Sequence, residues 1–160
     1  MPEIADLQAE IERLWARTGL GNPVRVLTGP QGDGSPYVEA RPDGFDIITE
    51  ERGTELDRQS GLTLAEAGRW YLEGMATGHA QAAELRDRTP PTTPGEIAPS
   101  VMDDGYSRWN WMAPAIEIMG RISAAHGDKI RACFREVLTR HPLAEYERRN
   151  ARWPLPDNPD

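Results

Sequence analysis

Apolar residues recur along this chain at two different spacings, separated by stretches rich in proline and glycine. Residues 3–17 put Ile4, Leu7, Ile11, Leu14 and Trp15 on one stripe at helical spacing. Glu3 and Asp6 at the start and Arg13 and Arg17 at the end suit the helix dipole. The glycines and proline of "TGLGNP" then stop the helix. The spacing next shortens to two. "VRVL" (24–27) is a short β-prone run, and "PYVEA" and "FDIIT" read as strands joined by the turn "RPDG". "TELDRQS" alternates Leu56 with charged neighbours as a third strand. Residues 36–60 therefore predict an antiparallel meander, with the 24–27 run a candidate to join it. In that register Ile48 and Leu56 fill the buried side, while Glu50, Glu55 and Asp57 face solvent or pair with arginine.

Helical spacing returns after Thr63. Thr63 and Glu66 form a capping box in "TLAE", ahead of a helix over about 64–87. Its expected buried stripe is Leu64, Ala67, Tyr71, Met75, Ala82 and Leu85. Gly68, Gly74 and Gly78 weaken such a helix by up to ~1 kcal/mol each relative to alanine, and close packing is the usual reason to keep them. A loop containing "RTPPTTPGEIAPS" follows. A helical region at about 107–125 carries Trp109, Trp111, Met112, Ile116, Met119 and Ile122, with Pro114 expected to start or kink it. Asp128 is the expected cap of a last helix at about 129–140, where Ile130, Cys133, Phe134, Val137 and Leu138 form an apolar stripe. That stripe places Phe134 in the core, where truncation to alanine costs ~3–5 kcal/mol. The expected fold class is α+β, a small antiparallel β-meander packed against three or four α-helices. It is expected as a single domain over 1–160, with a loop at about 88–106 and an irregular tail at about 153–160.

Charge narrows the choice of partner. The formal net charge is −8 over 160 residues, which repels phosphate backbones and anionic membranes and attracts basic proteins. Nucleic acid and membrane are therefore not expected partners. Lys129 is the only lysine among 18 basic residues, so Schiff-base and phosphate-cradling lysine chemistry has almost no candidate. Cys133 stands alone, so no internal disulfide forms. No basic leader is visible at the start, and no stretch approaches the roughly 20 apolar residues of a membrane span. A cytoplasmic location is the expectation.

Candidate chemistry is sparse. His79, His126 and His141 are far apart in sequence and read as surface or capping residues, and no metal-ligand spacing is present. "GPQGDG" is glycine-rich without the pattern of a nucleotide-binding loop. Cys133, on an apolar stripe, reads as a small core residue rather than a nucleophile. The exception is "ITEERGTELDRQ" (48–59), which groups Glu50, Glu51, Glu55 and Asp57 around Arg52 and Arg58. Three uses are open to it: a solvated sheet face with ordinary Glu/Arg pairs, a partner-binding surface, or an acid/base or metal site. Trp109 and Trp111 cannot share one helix face, so either both pack under the preceding loop or one is exposed, where tryptophan favours interfaces.

The order of "DGSPYVEA", "ITEERGTEL", "WYLEG", "AAELRDR" and "LTRHPL" resembles the immunity protein 63 family of bacterial polymorphic toxin systems, over residues 33–143. The most specific positions are Glu51-Arg52-Gly53 with Glu55, then Trp70-Tyr71, then Glu84-Leu85 with Arg88. Neighbouring immunity families share much of this rhythm. The resemblance implies a cytoplasmic, non-enzymatic protein that binds and blocks a cognate toxin domain, without catalytic residues, cofactor or metal. Glu50, Glu51, Glu55 and Trp111 are the candidate partner-binding residues. Arg52 and Gly53 are open to either a structural or a toxin-facing role. Two rival functions remain: a small metal- or carboxylate-dependent enzyme using the acidic meander, and a toxin chaperone that binds without inhibiting.

Overall fold

A computed structural model describes residues 1–157. Its internal contacts group into two compact units, residues 1–75 and the part beginning at Ala76. The class is α+β, with five helices and two small antiparallel sheets among the described residues.

The first unit holds α1 (Ile4–Trp15), a 3-10 turn (Ala16–Thr18), β1 (Asp33–Arg41), β2 (Gly44–Glu51), β3 (Thr54–Leu62) and the first turns of α2 (Leu64–Asp87). The α1 stripe buries Leu7, Ile11, Leu14 and Trp15 as its spacing predicts. The three strands form the expected meander in the order β1-β2-β3. Arg52 and Gly53, both at positive φ, make the β2–β3 turn, the two-residue geometry that suits strand twist. Gly44 ends the β1–β2 turn where a Cβ would lie 2.5 Å from the Leu62 carbonyl oxygen. Phe45, Ile47, Ile48 and Val38 supply the sheet's share of the core. "VRVL" contributes one rung rather than a strand. Leu27 bridges Tyr37 and accepts from the Val38 N–H at 2.8 Å, while Val26 is held by the Gln8 side chain.

Leu56 departs from expectation. It is 59% exposed, although Ile48 is fully buried. Thr49 pairs with Asp57 and Glu50 with Glu55, so Leu56 is an extra residue with no partner on β2. Such a bulge breaks the two-residue alternation and turns the side chain out of the core register.

The α2 capping box forms as predicted: the Glu66 N–H donates to the Thr63 hydroxyl at 3.2 Å and the Thr63 N–H donates to the Glu66 carboxylate at 2.8 Å. The buried stripe is different in its second half. Ala67, Tyr71, Leu72, Ala76, Ala80 and Glu84 are buried, whereas Leu64 and Leu85 are exposed and Ala82 is exposed as well. Glu84 turns inward with its arginine partner, which faces Leu85 outward. Close packing does not explain two of the glycines either: Gly74 and Gly78 face open space, and Gly68 has only the Glu10 side chain, 3.6 Å from a built Cβ.

The second unit contains the rest of α2, β4 (Glu96–Ala98), β5 (Val101–Met102), α3 (Trp109–Ile122), α4 (Ala124–Arg140) and α5 (Glu145–Asn150). The stretch expected as loop over 88–106 thus carries a small β4–β5 hairpin. Pro114 lies inside α3 rather than at its start. α4 begins five residues earlier than expected, capped by Ser123, whose hydroxyl accepts from the His126 N–H at 3.1 Å. Gly127 lies inside the helix, where a Cβ would sit 3.0 Å from the Gly120 Cα, so its missing side chain lets α4 approach α3. α5 was not expected at all; its six residues are too few to display a periodicity.

The apolar stripe of α4 is only partly covered. Ile130 is buried, but Phe134 and Leu138 are half-buried, and Cys133 and Val137 are exposed. Cys133 is therefore not a core residue, and the full core cost assigned to Phe134→Ala does not apply.

Arginine–carboxylate pairs hold the second unit together. The Arg108 guanidinium donates to both oxygens of Glu147, at 2.7 and 2.8 Å, and to the His141 and Pro142 carbonyls at 3.0 and 2.8 Å. Glu147 also accepts from the Ala144 and Arg108 N–H groups. Arg88 grips Glu84 with two bonds, reaches Asp104 at 2.7 Å and lies over the Tyr106 ring. Arg149 and Asn150 both donate to Asp103. The tail expected to be irregular from 153 has no helix or strand through Asp157, and the rest of that expectation lies outside the described residues. It is pinned by the Trp109 indole, which donates to the Pro154 carbonyl at 2.8 Å.

Two stability predictions follow from these contacts. Gly74→Ala and Gly78→Ala should each stabilise the protein by up to ~1 kcal/mol, seen as a higher urea midpoint with unchanged slope. Glu147→Gln should cost ~3–5 kcal/mol in the same assay, because it leaves the Arg108 guanidinium only neutral acceptors in a largely buried site.

Candidate partner-binding surface

The β2–β3 hairpin carries three of the four sequence-selected residues. β2 is buried from Gly44 to Ile48 and emerges at Thr49, so its last residues reach solvent with Glu50 half-buried and Glu51 exposed. β3 is exposed from Thr54 to Gly61, with only Leu62 half-buried. It is also an edge of the sheet, and an edge strand offers a row of unpaired backbone groups. β3 thus presents both faces, its backbone edge and the bulged Leu56 side chain to water.

A charged network under the hairpin fixes this display. Asp46, on β2 and largely buried, accepts from Arg58 at 3.0 Å, from Arg41 at 3.3 Å and from the Gly61 N–H at 3.1 Å. The Gly61 contact sits where the pairing shifts a second time, between Phe45↔Leu62 and Ile47↔Gln59. Gly61 has positive φ, which its missing side chain permits. Arg58 also holds Glu55 with two bonds, at 2.9 and 2.8 Å, and lies 3.9 Å from Glu39. Arg41 pairs with Glu39 as well. The five side chains cross all three strands.

Within this frame the three acids differ. Glu55 is neutralised by Arg58, whose hydrogen bonds hold its carboxyl below the ordinary range. Glu51 lies 3.8 Å from the exposed Arg52 guanidinium. Glu50 faces Glu55 across the ladder and makes no ion pair among the described residues. Its charge reaches Tyr37, whose phenol is pushed up first by burial and then by Glu50 and Glu39. Asp57 is exposed and accepts from Gln59. Trp111 lies in the other compact unit. It is half-buried, donates to the Tyr106 hydroxyl at 3.1 Å and meets the Phe134 ring edge-on at 5.8 Å. Trp109 is the buried member of the pair.

The carboxylates with displaced pKa values all move down. Asp33 does so through the Ser35 N–H, Glu55 through Arg58, and Asp103 through the Gly105 N–H. For Asp46 and Glu147 burial pushes upward most strongly, but the combined hydrogen bonds and arginine charges outweigh it. A general acid at neutral pH needs the opposite displacement. Among the described residues no group of three or more His, Cys, Asp or Glu side chains is placed to hold a metal ion, and no helix is long and apolar enough to cross a membrane.

The sequence singled out the acids at the tip with Arg52 and Arg58, but missed Asp46 and Arg41 beneath them. The signal for Asp46 was present in "GFDIIT", an acid inside an apolar strand, with Arg41 and Arg58 as its available partners. The Leu56 bulge left no comparable signal. Compared with known proteins, the chain matches no family model, no curated protein and no solved structure.

Because the Asp46 carboxyl is lowered in the folded state, its stabilising effect is complete above the unfolded pKa and is lost as pH falls through the folded value. Asp46→Asn should therefore destabilise the protein at neutral pH. It should also flatten the loss of stability below about pH 4, measured by urea unfolding across the acid range.

Proposed function

We propose that this protein neutralises a cognate bacterial toxin domain by binding it, with the β2–β3 hairpin as the main contact. The observation that carries this reading is β3, which is exposed on both faces, free along one edge and held in place by the Asp46 network. That a strand contributes so little to the core supports a role in contact with another chain. Its charges also select the partner. Glu50, Glu51 and Asp57 discourage pairing with a second copy and favour a basic surface. The bulged Leu56 offers an apolar anchor within that acidic surround. The reading of the partner as a toxin rests on the motif order from Asp33 to Leu143, which resembles the immunity protein 63 family. Downward displacement of Asp46 and Glu55 weighs against either as a general acid in the meander.

Co-expression with a candidate toxin domain from a neighbouring gene tests the proposal. Growth should be rescued, and charge reversal at Glu50 and Glu51 should slow association roughly ten-fold at low salt, with less effect on dissociation. Leu56→Asp should speed dissociation instead. Loss of rescue with both proteins folded and expressed contradicts neutralisation. Binding without rescue identifies a chaperone instead.

A further inference from the structure

α3 and α4 are joined by Ser123 alone and touch at Gly120 and Gly127. Beside that contact lies a groove of about 830 Å³, lined by Trp109, Ile116, Phe134, Leu138, Leu143 and Leu155. That volume falls in the range of small-molecule sites, which are mostly apolar with a few placed polar groups. Along α4 the lining runs from Ala124 to Leu138, a length of about 20 Å at the helical rise. The C-terminal segment is fixed at the Trp109 end by the indole bond to Pro154. The half-covered stripe of α4 is thus one wall of the groove.

The charges on this groove run against the rest of the chain. Four arginines and three carboxylates line it, Arg121, Arg131, Arg135 and Arg148 against Glu117, Asp128 and Asp157. It is one charge positive in a chain with a formal net charge of −8. Glu117 pairs with Arg121 at 3.3 Å and Asp128 with Arg131 at 3.0 Å. Among the described residues Arg135 and Arg148 make no ion pair, and both are exposed. A guanidinium fork without a partner, next to an apolar wall, matches a carboxylate carried on a hydrocarbon.

We infer that this groove binds a single-chain anionic amphiphile, an aliphatic carboxylate. The chain lies along Phe134, Leu138 and Ile116, and the carboxylate meets Arg135 or Arg148. The inference does not depend on toxin binding, because the groove and the β2–β3 hairpin involve different residues. It calls for a monoanion, since two guanidinium groups without an ion pair among the described residues, in a lining that also holds Asp157, are too few for a polyphosphate.

Calorimetric titration of the full chain with octanoate, dodecanoate and hexadecanoate, each below its micelle concentration, tests this, with dodecanol as the uncharged control. The expected result is saturable one-site binding of at least one carboxylate. The Arg135→Ala/Arg148→Ala double variant should bind it about ten-fold more weakly, with thermal unfolding unchanged because both side chains are exposed. Phe134→Ala should weaken carboxylate and alcohol alike. The inference is overturned if none of the three carboxylates saturates, or if dodecanol binds as tightly as dodecanoate and the double variant binds like the wild type. A groove that takes only a helical segment of a partner protein would give the first of these results.

Discussion

Asp46 is the residue on which the exposed hairpin depends. A carboxylate in the middle of an apolar strand is costly to bury unless its oxygens are occupied. Here two arginines and one backbone N–H occupy them. Each partner comes from a different place in the meander, so satisfying one acid fixes three strands. Arg41 ties β1 to β2. Arg58 ties β3 to β2 and carries Glu55 with it. The Gly61 N–H fixes the irregular pairing near the end of β3. This lets β3 remain ordered while it buries almost nothing of its own.

The second unit uses the same device. Arg108 and Glu147 join residues 39 positions apart with two direct bonds, and the same guanidinium closes on the His141 and Pro142 carbonyls. Arg88 with Glu84 does comparable work beside Asp104. The near absence of lysine suits this architecture, because only the planar guanidinium supplies two parallel donors to a carboxylate and further donors to carbonyls. Several motif positions that carry the family resemblance are these structural residues. Arg52 and Gly53 make a turn, Glu84 and Arg88 make a pair, and His141-Pro142 supplies carbonyls. Their roles account for themselves without a ligand.

Long periodic elements were legible in the sequence. α1 and α2 were readable from their stripes and caps, and the meander from its turns, because these signals are local. What failed was non-local. The start of α4 was misplaced because Asp128 has the chemistry of a cap, while the cap that forms is Ser123 and Gly127 is used inside the helix against the Gly120 backbone. Leu56 was assigned to the core because alternation assumes an unbroken ladder, and the bulge lies in the pairing rather than in either strand. Phe134 and Leu138 were placed in the core because a stripe indicates which face is apolar, not whether another element covers it. At the candidate surface Glu50, Glu51 and Glu55 were visible as a cluster, but only the structure separates the unpaired Glu50 from the neutralised Glu55. It also moves Trp111 from a free aromatic to one braced by Tyr106 and Phe134.

If this protein acts as proposed, the hairpin rather than its supporting network meets the partner. Amide hydrogen exchange of this chain, alone and with a toxin domain that it binds, measures that directly. New protection is expected along Thr54–Leu62 and at the Glu50–Gly53 turn, the backbone that is open in the free protein. Protection confined to other segments, with β3 exchanging as it does alone, would contradict it.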